Sequence, residues 1–109
     1  MTTYQVLLSE EAEKDLKEIS IYVARYDSPE KALNLLENLE ETCAKLEDYP
    51  DRGHVPKELE RLAITQYLEI YFKPYRVIYE ISRNLVFVHC VIDGCRDIEN
   101  VLCQRLLRI

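Results

Sequence analysis

Lys73-Pro74-Tyr75-Arg76-Val77-Ile78-Tyr79-Glu80-Ile81 is the stretch from which the fold can be read. Proline fixes φ and cannot donate to a β ladder, so Pro74 suits a turn or the start of a strand. From there Tyr75, Val77, Tyr79 and Ile81 share one face at period two, while Arg76, Ile78 and Glu80 share the other. Apolar residues on both faces predict a strand covered on both sides. Arg76 breaks the pattern: a permanent cation in a buried strand needs partners, either as an ion-pair anchor or as a site residue.

Two further strands flank this one. Thr65–Phe72 precedes Lys73-Pro74, and Leu85–Ile92 follows Arg83-Asn84; two-residue separations are the spacing of hairpin turns. Leu85–Ile92 is the most apolar run and reads as a buried central strand. Working back toward the N-terminus, Tyr49–Pro56 carries two prolines and a glycine without periodicity, hence a loop. Lys57–Leu62 reads as an irregular turn or a single helical turn. Earlier still, Ser28 and Pro29 form an N-cap and N1 pair, and Ala32, Leu35, Leu36, Leu39, Cys43 and Leu46 trace a helical stripe. Ser9, followed by Glu10 and Glu11, opens another helix of roughly 17 residues by the 3.6-residue period, with Ala12, Leu16, Ile19, Val23 and Tyr26 as its stripe. Tyr4–Leu8 is a short first strand, and Asp97 can cap a last short helix carrying Val101, Leu102, Leu106 and Leu107. The order β-α-α-β-β-β-α predicts an α+β fold, with a helical hairpin packed on an antiparallel sheet.

At 109 residues, 48% hydrophobic and with two glycines, the chain is expected to be one domain spanning residues 1–109. It shows neither a membrane-length apolar run nor a signal-peptide pattern, so a cytoplasmic location is expected, with its four cysteines reduced. The net charge of −6 is uneven. Residues 1–48 hold 12 acidic and 5 basic side chains, residues 49–109 hold 8 and 9. The fold therefore lacks a nucleic-acid footprint as a whole.

Candidate chemistry is sparse. No CxxC or other zinc-ligand spacing occurs, and no cofactor motif, so Cys43, Cys90, Cys95 and Cys103 read as structural thiols. His89 and Cys90 are expected on opposite faces of one strand, which argues against a joint site. His54 lies in the loop beside Asp51 and Arg52, where a solvated imidazole is the ordinary outcome. Arg76 and Arg96 are the pair of interest. On neighbouring strands they could converge on one phosphate or carboxylate; otherwise each pairs with an acid such as Glu80, Glu69 or Asp97.

With these residues set out, the chain resembles the RelE/ParE superfamily of bacterial type II toxins, and within it the ParE-like branch. The likeness runs through Ser9-Glu10-Glu11-Ala12, Asp15-Leu16, Ile19 and Tyr22, then Leu46, Pro50, Arg52-Gly53 and Pro74–Tyr79, and closes on Arg96-Asp97, Leu102, Arg105 and Leu106. It implies a helical hairpin on a curved antiparallel sheet. RelE-like members are ribosome-dependent ribonucleases using lysines, arginines and a C-terminal tyrosine, whose cations stabilise charge on the phosphate under attack. In that pattern Arg76 and Arg96 match the two arginines, Tyr67 and Glu69 occupy the lysine-bearing strand, and Leu102 stands at the tyrosine position. ParE-like members lack that set and act on DNA gyrase. The resemblance therefore implies a gyrase inhibitor neutralised by an antitoxin protein; the alternatives are a ribosome-dependent mRNA endonuclease using Arg76 and Arg96, or a non-toxic module that only binds antitoxin. It implies no cofactor and no metal. Family toxins are usually basic, and this chain is acidic.

Overall fold

The computed structural model describes residues 3–94 and 97–107. The strands are β1 (Gln5–Leu8), β2 (Tyr67–Phe72), β3 (Tyr75–Ser82) and β4 (Leu85–Asp93). The helices are α1 (Glu10–Tyr26), α2 (Pro29–Ala44), the single turn α3 (Lys57–Glu60) and α4 (Ile98–Leu102), which runs on as a π-type turn, Cys103–Leu107. Both long helices start where their caps dictate. The Ser9 hydroxyl accepts from Ala12 N at 3.0 Å, and the Ser28 hydroxyl accepts from Lys31 N at 3.1 Å with Pro29 behind it. α4 starts likewise at Asp97, whose carboxylate accepts from Asn100 N at 3.2 Å.

The sheet order is β1-β4-β3-β2. Here one expectation is corrected: β1 pairs parallel with β4, from Gln5↔Leu85 to Leu8↔Val88, so the sheet is mixed rather than wholly antiparallel. The α1–α2 hairpin is the long connection that lets β1 and β4 run the same way. The β2-β3-β4 meander is antiparallel as read. β3 is covered on both faces. Val77 and Tyr79 join Ala12, Leu16, Leu39 and Cys43 beneath the hairpin, while Ile78 joins Leu59, Cys90, Ile92, Ile98 and Leu102 beneath α3 and α4. Tyr26, expected on the α1 stripe, is exposed and stacks on Tyr22 with ring centroids 4.7 Å apart.

A second correction concerns β4. The β3–β4 register slips between Ile78↔Cys90 and Tyr79↔Val88, which leaves His89 as the extra residue of a bulge. The slip returns Cys90 to the face of His89. The His89 ring packs on Tyr67 at 5.3 Å, and Tyr67 and Cys90 share one buried cluster. Without the bulge, Cys90 and Ile92 would turn toward the hairpin and Val91 away from it. Burial pushes the Cys43 thiol up to about 11 and the Cys90 thiol up to about 12, so neither forms thiolate at neutral pH. Brief alkylation of the native protein, read by peptide mass spectrometry, should therefore leave both unmodified while half-buried Cys103 reacts. Modification of Cys90 without prior unfolding would contradict this packing.

Candidate functional site

Arg76 lies on the face of β3 turned toward α3, and its guanidinium is buried. Nη1 and Nη2 donate to Glu58 Oε2 and Oε1 at 3.0 and 2.9 Å, a two-pronged fork. Nε donates to Glu69 Oε1 at 2.5 Å. Glu69 reaches it diagonally from β2, where Glu69↔Ile78 and Tyr71↔Arg76 are the paired positions. Glu58 arrives from α3, the turn that also seals Leu59 into the core. Glu69 is legible from the sequence as a partner of Arg76, whereas Glu58 is not. Glu80, equally legible, bonds His89 instead at 2.9 Å. Arg96 lies outside the described residues.

Arg76 is thus held by two carboxylates, and the three groups together carry one net negative charge. The hydrogen bond from Arg76 pulls the Glu58 carboxyl below its usual range against the opposing effect of burial, and the same bonds push the Arg76 guanidinium up. Because the folded-state pKa of Glu58 is depressed, its stabilisation is fully present above the ordinary value of 4.5 and is lost as pH falls through the lower folded value. Melting temperature should accordingly fall below about pH 4.5, and the Glu58→Gln variant, already less stable at neutral pH, should show a shallower acid decline. Parallel pH profiles for the two proteins would contradict the pairing.

Glu69 is itself buried, and its second oxygen, Oε2, is covered by exposed residues of this region. His54 Nε2 lies 3.2 Å away, the Tyr71 hydroxyl donates at 3.3 Å, and that hydroxyl is 3.5 Å from His54 Nε2. The loop puts His54 there by pairing with the edge of β2: His54 N donates to Glu69 O at 3.2 Å, and Glu69 N to His54 O at 2.8 Å. Burial, then the Glu69 charge, raises the Tyr71 phenol, so this group is a hydrogen-bond donor at neutral pH. A cavity of about 340 Å3 opens here, lined by His54, Lys57, Glu60, Glu69 and Tyr71 among others. His54 was legible as a loop imidazole; its carboxylate partner was not, because the two residues are brought together only by the β2 edge.

Two other positions of the ribonuclease pattern are buried, and the family-matched Arg105 is ion-paired. Leu102 is fully buried in the cluster under α4, and Tyr67 is buried in that cluster too. Arg105 turns back onto α1, donating from Nε to Glu11 at 2.6 Å and from Nη2 to Asp15 at 2.8 Å. Asp15 also accepts from Val91 N at 3.0 Å, beyond the point where β1 ends its pairing with β4. Among the described residues, no cluster of His, Cys, Asp and Glu could hold a metal ion, and no helix is long and apolar enough to cross a membrane.

Solved structures with this fold include the chromosomal ParDE toxin–antitoxin system from P. aeruginosa, with TM-score 0.72 and 13% identity over 85% of this chain and 98% of that one. The toxin–antitoxin complex RelBE2 from Mycobacterium tuberculosis matches with TM-score 0.62 and 20% identity, over 85% and 93% of the two chains. A double arginine-to-alanine mutant of the E. coli toxin RelE in the free state matches with TM-score 0.63 and 17% identity, over 98% of each chain. No curated protein matches the chain. The sequence profile described as ParE toxin of type II toxin-antitoxin system, parDE, matches residues 6–98. That match spans the sheet, the hairpin and the Arg76 network, and the chain belongs to the ParE toxin family of type II toxin–antitoxin systems.

Proposed function

We propose that this toxin acts by protein–protein contact with DNA gyrase, in the cytoplasm, and is neutralised by a cognate antitoxin. The observation carrying this reading over RNA cleavage is the occupancy of Arg76. A buried guanidinium with three of its five N–H donors bonded to the Glu58 and Glu69 carboxylates is already charge-paired and is not presented to a phosphate. The surrounding carboxylates would also repel a nucleic-acid backbone, and the tyrosine position of the ribonuclease pattern is the buried Leu102. Gyrase as target rests on membership of the ParE family.

One observation favours the second reading, a ribosome-dependent endonuclease. The exposed His54 and the protonated, exposed Tyr71 phenol meet the buried Glu69 carboxylate, which is a set of groups able to move protons. Pulse labelling after induction of the toxin alone in a bacterial host separates the two. Early loss of thymidine incorporation with a DNA-damage response supports gyrase. Immediate loss of methionine incorporation, abolished by His54→Ala and Tyr71→Phe together, supports cleavage. Normal growth would leave only an antitoxin-binding role.

A further inference from the structure

Asp15, Glu18, Ile19 and Tyr22 recur at helical intervals on one flank of α1, and that flank lies against the end of the sheet. β1 ends its pairing at Leu8, so Val91 N further along β4 finds Asp15 as its acceptor in place of a strand. Tyr75, paired with Asp93 across the β3–β4 ladder, forms the facing wall. Between the walls opens a cleft of about 260 Å3, and among its described lining residues none is basic. Burial, then the Asp93 charge and Tyr22, raises the Tyr75 phenol, so it is uncharged at neutral pH. Tyr22 is 64% exposed and stacks on Tyr26, itself 70% exposed. Rings left this far in water add little to the chain's own core. The same helix already holds a guanidinium beside the cleft: Arg105 is paired with Glu11 and Asp15. The cleft repeats that chemistry with Glu18, and adds the aromatic faces of Tyr22 and Tyr75, on which a guanidinium stacks.

We infer that this cleft receives an arginine side chain from an exposed segment of the toxin's protein target, paired with Glu18 and stacked on Tyr22 and Tyr75. This rests on the contact with gyrase proposed above, and names the toxin surface that makes it. An enzyme that grips DNA carries arginines and lysines for the phosphates. A toxin of net charge −6, with 12 of its acidic side chains in residues 1–48, is complementary to such a basic surface and not to DNA itself. Arginine is favoured over lysine because its planar guanidinium stacks on a ring while bonding a carboxylate. A nucleic-acid strand is disfavoured as occupant, because Asp15, Glu18 and Asp93 repel phosphate. A second copy of the toxin is disfavoured because it would bring two acidic hairpins together.

The test has two arms. In one, 15N-labelled toxin is titrated with a blocked Gly-Arg-Gly-Arg-Gly peptide and with its lysine and glutamate counterparts. The arginine peptide should move the amide signals of Tyr22, Tyr75 and Val91 saturably, the lysine peptide more weakly, and the glutamate peptide not at all. In the other arm, purified gyrase is passed over immobilised toxin. Glu18→Lys and Tyr22→Ala change exposed positions and should melt near wild type. Each should weaken gyrase binding by roughly tenfold. Glu37→Lys, the same charge reversal on the exposed face of α2, should not. Gyrase binding untouched by Glu18→Lys and Tyr22→Ala would overturn the inference. So would peptide shifts that are absent or confined to another surface, a lysine or glutamate peptide that binds equally, or shifts at Tyr22 that grow with toxin concentration alone. The two readings fail separately. Wild-type toxin that takes the arginine peptide but not gyrase would remove gyrase as target alone, and gyrase binding indifferent to the cleft would remove this inference alone.

Discussion

Replacing Arg76 by alanine is expected to destabilise the protein by about 3–5 kcal/mol, the usual consequence of stranding buried charge by removing one partner. For a chain of this size that lowers the melting temperature by roughly 12 °C or more. The cause is specific: Glu58 and Glu69 would be left buried side by side with no cation between them. Arg76→Lys keeps the charge but loses the fork, and should fall between wild type and alanine. Replacing Arg76, Glu58 and Glu69 together by apolar residues of similar volume should recover most of the loss, because no charge is then stranded. An Arg76→Ala protein that melts like wild type would contradict the network. Loss of toxicity in this variant alone would therefore report unfolding and not catalysis.

Tyr79→Phe is the second severe change expected, at about 1–3 kcal/mol for one oxygen atom. The Tyr79 side chain is fully buried, and its hydroxyl donates to Pro50 O at 2.6 Å and accepts from Gly53 N at 3.0 Å. The phenol thus pins the loop to the sheet, and removing it strands a carbonyl and an amide that the loop cannot turn to water. The loop is as tight as this implies. A Cβ on Gly53 would come within 2.6 Å of both Glu69 O and the Tyr79 hydroxyl, so Gly53→Ala should destabilise the same contact from the other side. Wild-type stability of Tyr79→Phe by urea denaturation would contradict this account.

These two residues show what could be read from the chain and what could not. The period-two pattern of Tyr75–Ile81 placed Val77 and Tyr79 on one face and Arg76 and Ile78 on the other, which is where they lie. The caps at Ser9 and Ser28 located both long helices. Such signals are local, acting within a turn or a strand. The partners of Arg76 are not local. Glu58 stands 18 residues away on a one-turn helix, and nothing in Lys57–Glu60 marks one glutamate as buried and the next as exposed. The parallel pairing of β1 is likewise set by where the hairpin delivers the chain, and a four-residue strand carries no mark of it. The bulge at His89 falls in an unbroken apolar run, without the glycine or proline that commonly betrays one. Its effect is large, since it reverses which face the end of β4 presents.

Whether the toxin engages gyrase directly is best decided by supercoiling of relaxed plasmid by purified gyrase and ATP, with increasing amounts of purified toxin. Under the proposed function, supercoiling falls as toxin is added and cleaved plasmid accumulates, while mRNA on purified ribosomes stays intact. Undiminished supercoiling at a large excess of folded toxin would contradict it, and mRNA cleavage in the parallel reaction would move the chemistry to His54, Tyr71 and Glu69.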